Sequence, residues 1–178
     1  MAQRRKRVLI VDGYNVLRSG YRYRNITSPD YTHDAFNRAR ELLINDVTLF
    51  SGKEYRAVIV FDGYGNDYST GEPTKVGGVE IVFSPKGQSA DKVIEKYAHD
   101  ARERGCEVMV VTSDATIQDT VFGGNVDRMS AAGFCHEMEL YHKDVQQEEH
   151  PKASHKNTLQ DRIDGDTLAK LIALRDGK

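Results

Sequence analysis

Three nearly continuous apolar runs, Val8-Leu9-Ile10-Val11, Ala57-Val58-Ile59-Val60-Phe61 and Val108-Met109-Val110-Val111, constrain this chain more than any other feature. A strand with one wet face alternates apolar and polar residues, whereas a strand with no polar positions is covered on both faces. Val79-Glu80-Ile81-Val82-Phe83 alternates in part and reads as a more peripheral strand. Between the runs, Ala35, Ala39, Leu42, Leu43, Val47 and Phe50 recur at helical spacing, as do Ala90, Val93, Ile94, Tyr97, Ala98 and Ala101. The second stripe follows Ser89, a natural N-cap, and stops at Gly105, a natural helix end. Strands of this kind alternating with helices predict an α/β fold: a mostly parallel sheet with helices on both faces.

A chain of 178 residues holds one domain with a core of its own. Residues 64–78 carry four glycines and a proline and read as a loop. After Thr116 the pattern gives a short helix, a Gly123-Gly124 break and a second helix from about Ser130 to Tyr141. His142 to Gln160 has only Val145, Ala153 and Leu159 as apolar residues, so it reads as a polar arm leading to a helix around Asp166–Arg175. The main body is therefore residues 1–141, with residues 142–178 an arm and C-terminal helix of the same domain.

Whole classes of function drop out. The run Ala57 to Phe61 is far short of the ~20 apolar residues of a spanning helix. Arg4-Arg5-Lys6-Arg7 precedes an apolar run, but Asp12 ends it after four residues, too few for a secretory signal. The expectation is a soluble, cytoplasmic protein with no membrane partner. Cys106 and Cys135 make neither a disulfide framework nor a zinc site and read as small buried apolar residues. His142, His150 and His155 are irregularly spaced in the polar arm and read as solvated. Net charge is −2, yet residues 1–24 alone carry seven Arg or Lys against one acid. A basic start beside an acidic middle suits a metal-dependent enzyme on a polyanion, although chance scatter also produces it.

In an open parallel sheet, ligands bind beyond the carboxyl ends of the strands. Four carboxylates collect there. Asp12 ends the first run, Asp62 the second, Asp91 opens the helix after Ser89, and Asp114 closes Thr112-Ser113-Asp114. Singly each has a structural explanation: Asp12 and Asp62 stand in Asp-Gly turns, while Asp91 and Asp114 suit a first helical turn. Together they repel unless a cation lies among them. Oxygen donors without His or Cys select Mg²⁺ or Mn²⁺ over zinc. A carboxylate-held divalent cation with room for water is equipment for phosphodiester hydrolysis.

Other phosphate chemistries fail on particular residues. No G-x-x-x-x-G-K-[ST] and no G-x-G-x-x-G opening a helix after the first strand is present. Tyr14 stands where an aspartyl-phosphate enzyme needs a second Asp, and no G-x-S-x-G elbow exists. Arg18, Arg22, Arg24 and Arg128 are candidate phosphate contacts, and Tyr14, Tyr21 and Tyr23 candidate stacking rings, with surface or packing roles the alternative for each.

Val8-Leu9-Ile10-Val11-Asp12-Gly13-Tyr14-Asn15-Val16 resembles the first strand of NYN-domain, PIN-like ribonucleases, most of all the YacP-like branch of bacterial endoribonucleases. The branch pattern continues in Ala90-Asp91-Lys92-Val93-Ile94-Glu95, Thr112-Ser113-Asp114, Phe122-Gly123, Arg128-Met129-Ser130-Ala131 and Asn157-Thr158-Leu159 with Asp161-Arg162. The resemblance spans about residues 7 to 175. It implies a PIN-like (NYN) three-layer fold, with residues 1–141 as the nuclease domain and metal held by Asp12, Asp91 and Asp114. Asp119 and Asp62 follow as further ligands, Glu95 stands one turn from Asp91 in the outer shell, and Asn15 orients Asp12 or touches substrate. Ser113, in the T-S-D segment, joins Asn15, Tyr14, Arg22, Arg24 and Arg128 as a candidate substrate contact.

The expected activity is a metal-dependent endoribonuclease using Mg²⁺ or Mn²⁺ and leaving a 5′-phosphate and a 3′-hydroxyl. Its partners would be RNA, mRNA above all, and the ribosome. The loop from Asp67 to Gly78 and the basic start depart from the family pattern, so substrate choice does not carry over. Two rivals stand at this point: an RNA- or ribosome-binding adaptor with a structural metal, and a small-molecule phosphohydrolase.

Overall fold

The computed structural model describes residues 6–27, 33–63, 69–117 and 126–149. In chain order the elements are β1 (Arg7–Asp12), α1 (Gly13–Ser19), α2 (Tyr21–Thr27), α3 (His33–Ser51), β2 (Tyr55–Phe61), β3 (Thr74–Val76), β4 (Val79–Phe83), α4 (Ala90–Glu103), β5 (Glu107–Val111), β6 (Val126–Met129) and α5 (Ala131–Glu149). The chain divides into two units, Met1–Leu140 and Tyr141–Lys178. Of the second, only residues 141–149 are described.

The strands form one sheet in the order β3-β4-β2-β1-β5-β6. Every pairing is parallel except that of β3 with β4. β1 is central, with Val11 opposite Ile59 of β2 on one side and Val111 of β5 on the other. That position explains the unbroken apolar runs, because both faces of the middle strands are covered. Leu9, Val11, Ile59 and Phe61 face one core with Leu43 and Val47 of α3 and Phe134 and Met138 of α5. Ile10, Val58, Val60, Val108 and Val110 face the other with Val93, Ile94 and Ala98 of α4. Alternate residues thus feed opposite cores, and the result is a three-layer α/β arrangement.

The helix read after Ser89 is α4. The Ser89 hydroxyl accepts the Lys92 N–H at 3.5 Å, and the chain leaves the helix through Gly105 at φ 73°, a left-handed conformation natural to glycine. The alternating strand at 79–83 is less peripheral than its pattern suggests. It lies second from the sheet edge, and its buried Glu80 is met by Arg56 at 2.7 Å.

Four readings are corrected. The stretch 64–78 is not loop throughout, since Thr74–Val76 pair with β4 as an exposed edge strand; residues 64–68 lie outside the described part. Three exposed residues leave no periodicity to detect. Val126–Met129 form β6 beside β5, although Val-Asp-Arg-Met alternates too weakly to announce a strand. Of the basic start, Arg7 lies in the central strand and residues 13–19 and 21–27 form α1 and α2, so its described part is built into the fold; residues 1–5 lie outside the described residues. Finally, α5 begins after Ser130 as expected but runs to Glu149, so residues 142–149 of the polar arm are helical. Their Lys, Gln and Glu residues are good helix formers that need no apolar stripe. The Gly123-Gly124 break, the helix around 166–175 and the Asn157–Arg162 motif lie outside the described residues.

Candidate functional site

Parallel strands put their carboxyl ends on one edge, and the acids gather there. Asp12 is the last residue of β1 and the N-cap of α1. Its Oδ1 accepts the Asn15 backbone N–H at 3.3 Å, and its Oδ2 accepts the Thr112 hydroxyl at 3.1 Å. The tight passage from strand to helix depends on Gly13, where a Cβ would lie 2.3 Å from the Phe61 ring. Tyr14 follows, with its ring edge-on to Phe61 at 5.1 Å and the Arg18 guanidinium 5.8 Å from its centroid.

Beyond β5, Thr112 ties two acids together. Its hydroxyl donates to Asp12 and accepts the Asp114 backbone N–H at 3.1 Å. Asp114 in turn accepts the Thr116 N–H through Oδ1 at 2.8 Å. The Asn15 side chain accepts the Ser113 N–H at 2.8 Å, and the Ser113 hydroxyl accepts the Ala131 N–H at 3.0 Å, at the start of α5. Asn15 therefore serves Asp12 through its backbone and the β5 loop through its side chain. Beyond β2, Asp62 accepts the buried Ser84 hydroxyl at 3.4 Å, and Ser84 accepts the Gly63 N–H at 2.9 Å. Asp91 stands in the first turn of α4, with Glu95 one turn on.

Electrostatics shows which of these acids share a neighbourhood. Asp12 is 7% exposed, and burial pushes its carboxyl up to about 6 against the lowering effect of its two hydrogen bonds. The charges of Asp91 and Asp114 raise it further. Burial also raises the Asp91 carboxyl, followed by Asp114, Glu95 and Asp62. Asp91 thus lies within electrostatic reach of four other acids, and Asp12 of two of them. Mutual repulsion on this scale is relieved by a cation, and hard carboxylate oxygens suit Mg²⁺ or Mn²⁺. Among the described residues, no three acidic, His or Cys side chains are grouped so as to hold one ion. The donor set therefore fits an ion that keeps much of its water and takes one or two carboxylates, as Mg²⁺ commonly does. Asp119 lies outside the described residues.

The candidate substrate contacts divide. Arg24 on α2 and Arg128 on β6 are exposed. Arg22 is engaged within the fold instead: its Nε and Nη2 grip Asp46 of α3 at 2.7 and 3.3 Å, and Tyr23 donates its hydroxyl to the same carboxylate at 2.8 Å. Asp46 is 1% exposed and Tyr23 fully buried. This cluster holds α2 to α3 and engages both side chains within the fold. Thr112 and Ser84 went unnoticed as site residues. Thr112 meets Asp12 only because β5 pairs with β1 across 100 residues of sequence, a register no local pattern carries.

The family model for the YacP-like NYN domain matches residues 9–176. The protein YacP of Bacillus subtilis (strain 168) is 28% identical over 140 residues, covering 78% of this chain and 79% of its own length. A crystal structure of Rae1 (YacP) from Bacillus subtilis superimposes with a TM-score of 0.63 at 25% identity, covering 96% of this chain and 95% of the other. A point mutant of the same protein gives a TM-score of 0.63 at 27% identity over 84% of each chain.

Proposed function

The chain belongs to the YacP-like NYN domain family, and on that basis we propose that it is a metal-dependent endoribonuclease. The observation that carries the reading is the interaction of Asp12, Asp91 and Asp114 at the carboxyl edge of the sheet. One or two of those carboxylates would bind a largely hydrated Mg²⁺ or Mn²⁺ directly, with Asp62 and, in the next segment, Asp119 as further donors. When bound, such an ion lowers the pKa of a coordinated water and offsets charge developing on the phosphate.

The chain's own residues do the rest. The Thr112 hydroxyl and the Asn15 N–H hold Asp12 in one orientation, and both favour its ionised form. The hydrogen bond from the Asp114 N–H to Thr112 fixes the β5 loop relative to Asp12, so two carboxylates keep their spacing while substrate comes and goes. Tyr14, backed by Phe61 and flanked by Arg18, offers a ring beside the acids for a nucleobase. Arg24 and Arg128 are the exposed cations for phosphates. RNA is the proposed substrate, with mRNA on ribosomes as the setting suggested by the YacP-like resemblance.

Pure protein should cleave RNA with Mn²⁺ and not with EDTA, and Asp91→Asn and Asp114→Asn should each lower the rate at least 100-fold while remaining folded. Failure to cleave free RNA or RNA on ribosomes, with Mn²⁺ present, would replace this reading with that of a non-catalytic RNA- or ribosome-binding adaptor.

A further inference from the structure

A groove of about 960 Å³ lies along the α4 side of the sheet, with none of the candidate-site acids in its lining. Its lining runs from Lys6 and Lys53 at the amino ends of β1 and β2, past Tyr97 on α4, to Pro85 and Gln88 before Asp91. One end thus opens opposite the acidic edge, and the other stops three residues short of an acid of the candidate site. On α4 the lining runs from Val93 to Ala101, eight steps of about 1.5 Å, or roughly 12 Å.

Its charge is opposite to that of the rest of the chain. Arg7 is paired with Glu107 and Glu54, and Arg56 with Glu80. Lys6, Lys53, Lys96 and Arg104 are exposed in the same lining and form no ion pair among the described residues. Against these four stands one further acid, Asp100. A protein of net charge −2 has therefore gathered cations along one channel, beside the half-buried Tyr97 ring. Cations spaced along a groove with an aromatic side chain in its wall are the equipment for tracking a single-stranded phosphodiester backbone.

We infer that this groove is a binding track for single-stranded RNA, which guides the strand toward the acids at its Gln88 end. The inference rests on RNA as the substrate and adds a second contact region to it. Phosphates lie along Lys53, Lys96 and Arg104, and the contacts are to backbone, so base sequence matters little.

The test is binding, measured by fluorescence anisotropy with a labelled oligouridylate of about 12 nucleotides, on the full chain in EDTA so that nothing is cleaved. Lys53→Glu with Lys96→Glu should weaken binding at least tenfold. Lys53→Gln with Lys96→Gln should flatten the logarithmic salt dependence by about 1.4, at roughly 0.7 per lost single-strand contact. Arg38→Glu with Lys75→Glu makes the same change in net charge outside the groove and should leave affinity within twofold. Unchanged affinity and slope in the groove variants, or an equal loss in the Arg38/Lys75 control, overturns the track. So does polyglutamate of matched charge competing as well as RNA, which would assign the groove to an acidic polypeptide. Cleavage in Mn²⁺ is scored separately: a protein that cleaves but binds without regard to Lys53 and Lys96 keeps the nuclease and loses the track. One that never cleaves yet shows the binding loss keeps the track and loses the nuclease.

Discussion

Asp12 carries the sharpest tension at the scale of single residues. A carboxyl pushed up to about 6 from a usual 3.8 binds its proton more tightly in the folded chain than in the unfolded one. The native state therefore gains from protonation: this contribution is complete below about pH 4 and is lost as pH rises through 6. A shift of this size corresponds to about 3 kcal/mol. In EDTA, Asp12→Asn should thus gain on wild type by up to about 3 kcal/mol between pH 4 and pH 7, as read by urea unfolding at each pH. A difference between the two proteins that stays constant over that range would mean that Asp12 is solvated in the native state. Asp12 and its Asp-Gly turn were legible in sequence. Its burial, which sets this behaviour, was not, because burial depends on what β2 and β5 bring alongside.

At the scale of elements, the joint between α2 and α3 shows how local reading misses a residue's partner. Arg22 looks like a phosphate contact because it sits in a basic stretch, yet its partner Asp46 lies 24 residues away on another helix. Removing the guanidinium leaves a buried carboxylate with one fewer cationic partner, so Arg22→Ala should cost about 3 kcal/mol. Tyr23→Phe removes one hydrogen bond and should cost about 1 kcal/mol. Arg24→Ala, on the exposed side of the same helix, should stay within about 0.5 kcal/mol. Equilibrium denaturation of the three variants checks the order; an Arg22→Ala protein as stable as Arg24→Ala would remove the joint. Helices with a clear apolar stripe, α3 and α4, were readable from spacing alone. Short elements such as α1, α2, β3 and β6 were not, since a few residues held by tertiary contacts need no periodicity of their own.

For the molecule as a whole, the clustered acids cost the metal-free protein stability. Asp91 gains from the α4 N-terminus, a few tenths of a kcal/mol, but burial and the charges of Asp114, Glu95 and Asp62 work against it. Asp91→Asn should therefore stabilise the metal-free protein, by no more than about 1 kcal/mol. Mn²⁺ at 100 times its dissociation constant should add about 2.7 kcal/mol to wild type and clearly less to the variant. Thermal unfolding with and without Mn²⁺ decides the matter. A variant that melts lower than wild type in EDTA and gains as much from Mn²⁺ would make Asp91 an ordinary helix-start residue. Among the described residues, no helix is long and apolar enough to cross a membrane.

The sequence by itself determined the layers and the edge where chemistry collects. Apolar runs without polar positions require cover on both faces, and parallel strands bring their carboxyl ends, with Asp12, Asp62 and Asp114, to one side. Tertiary structure alone decided which groups meet there. Strand order places Thr112 against Asp12, the packing of α2 on α3 engages Arg22 with Asp46, and the course of α4 along the sheet gathers Lys53, Lys96 and Arg104 into one groove. The reason is physical: spacing along a chain encodes which face a residue takes, while its partners are set by register and packing between segments far apart in sequence.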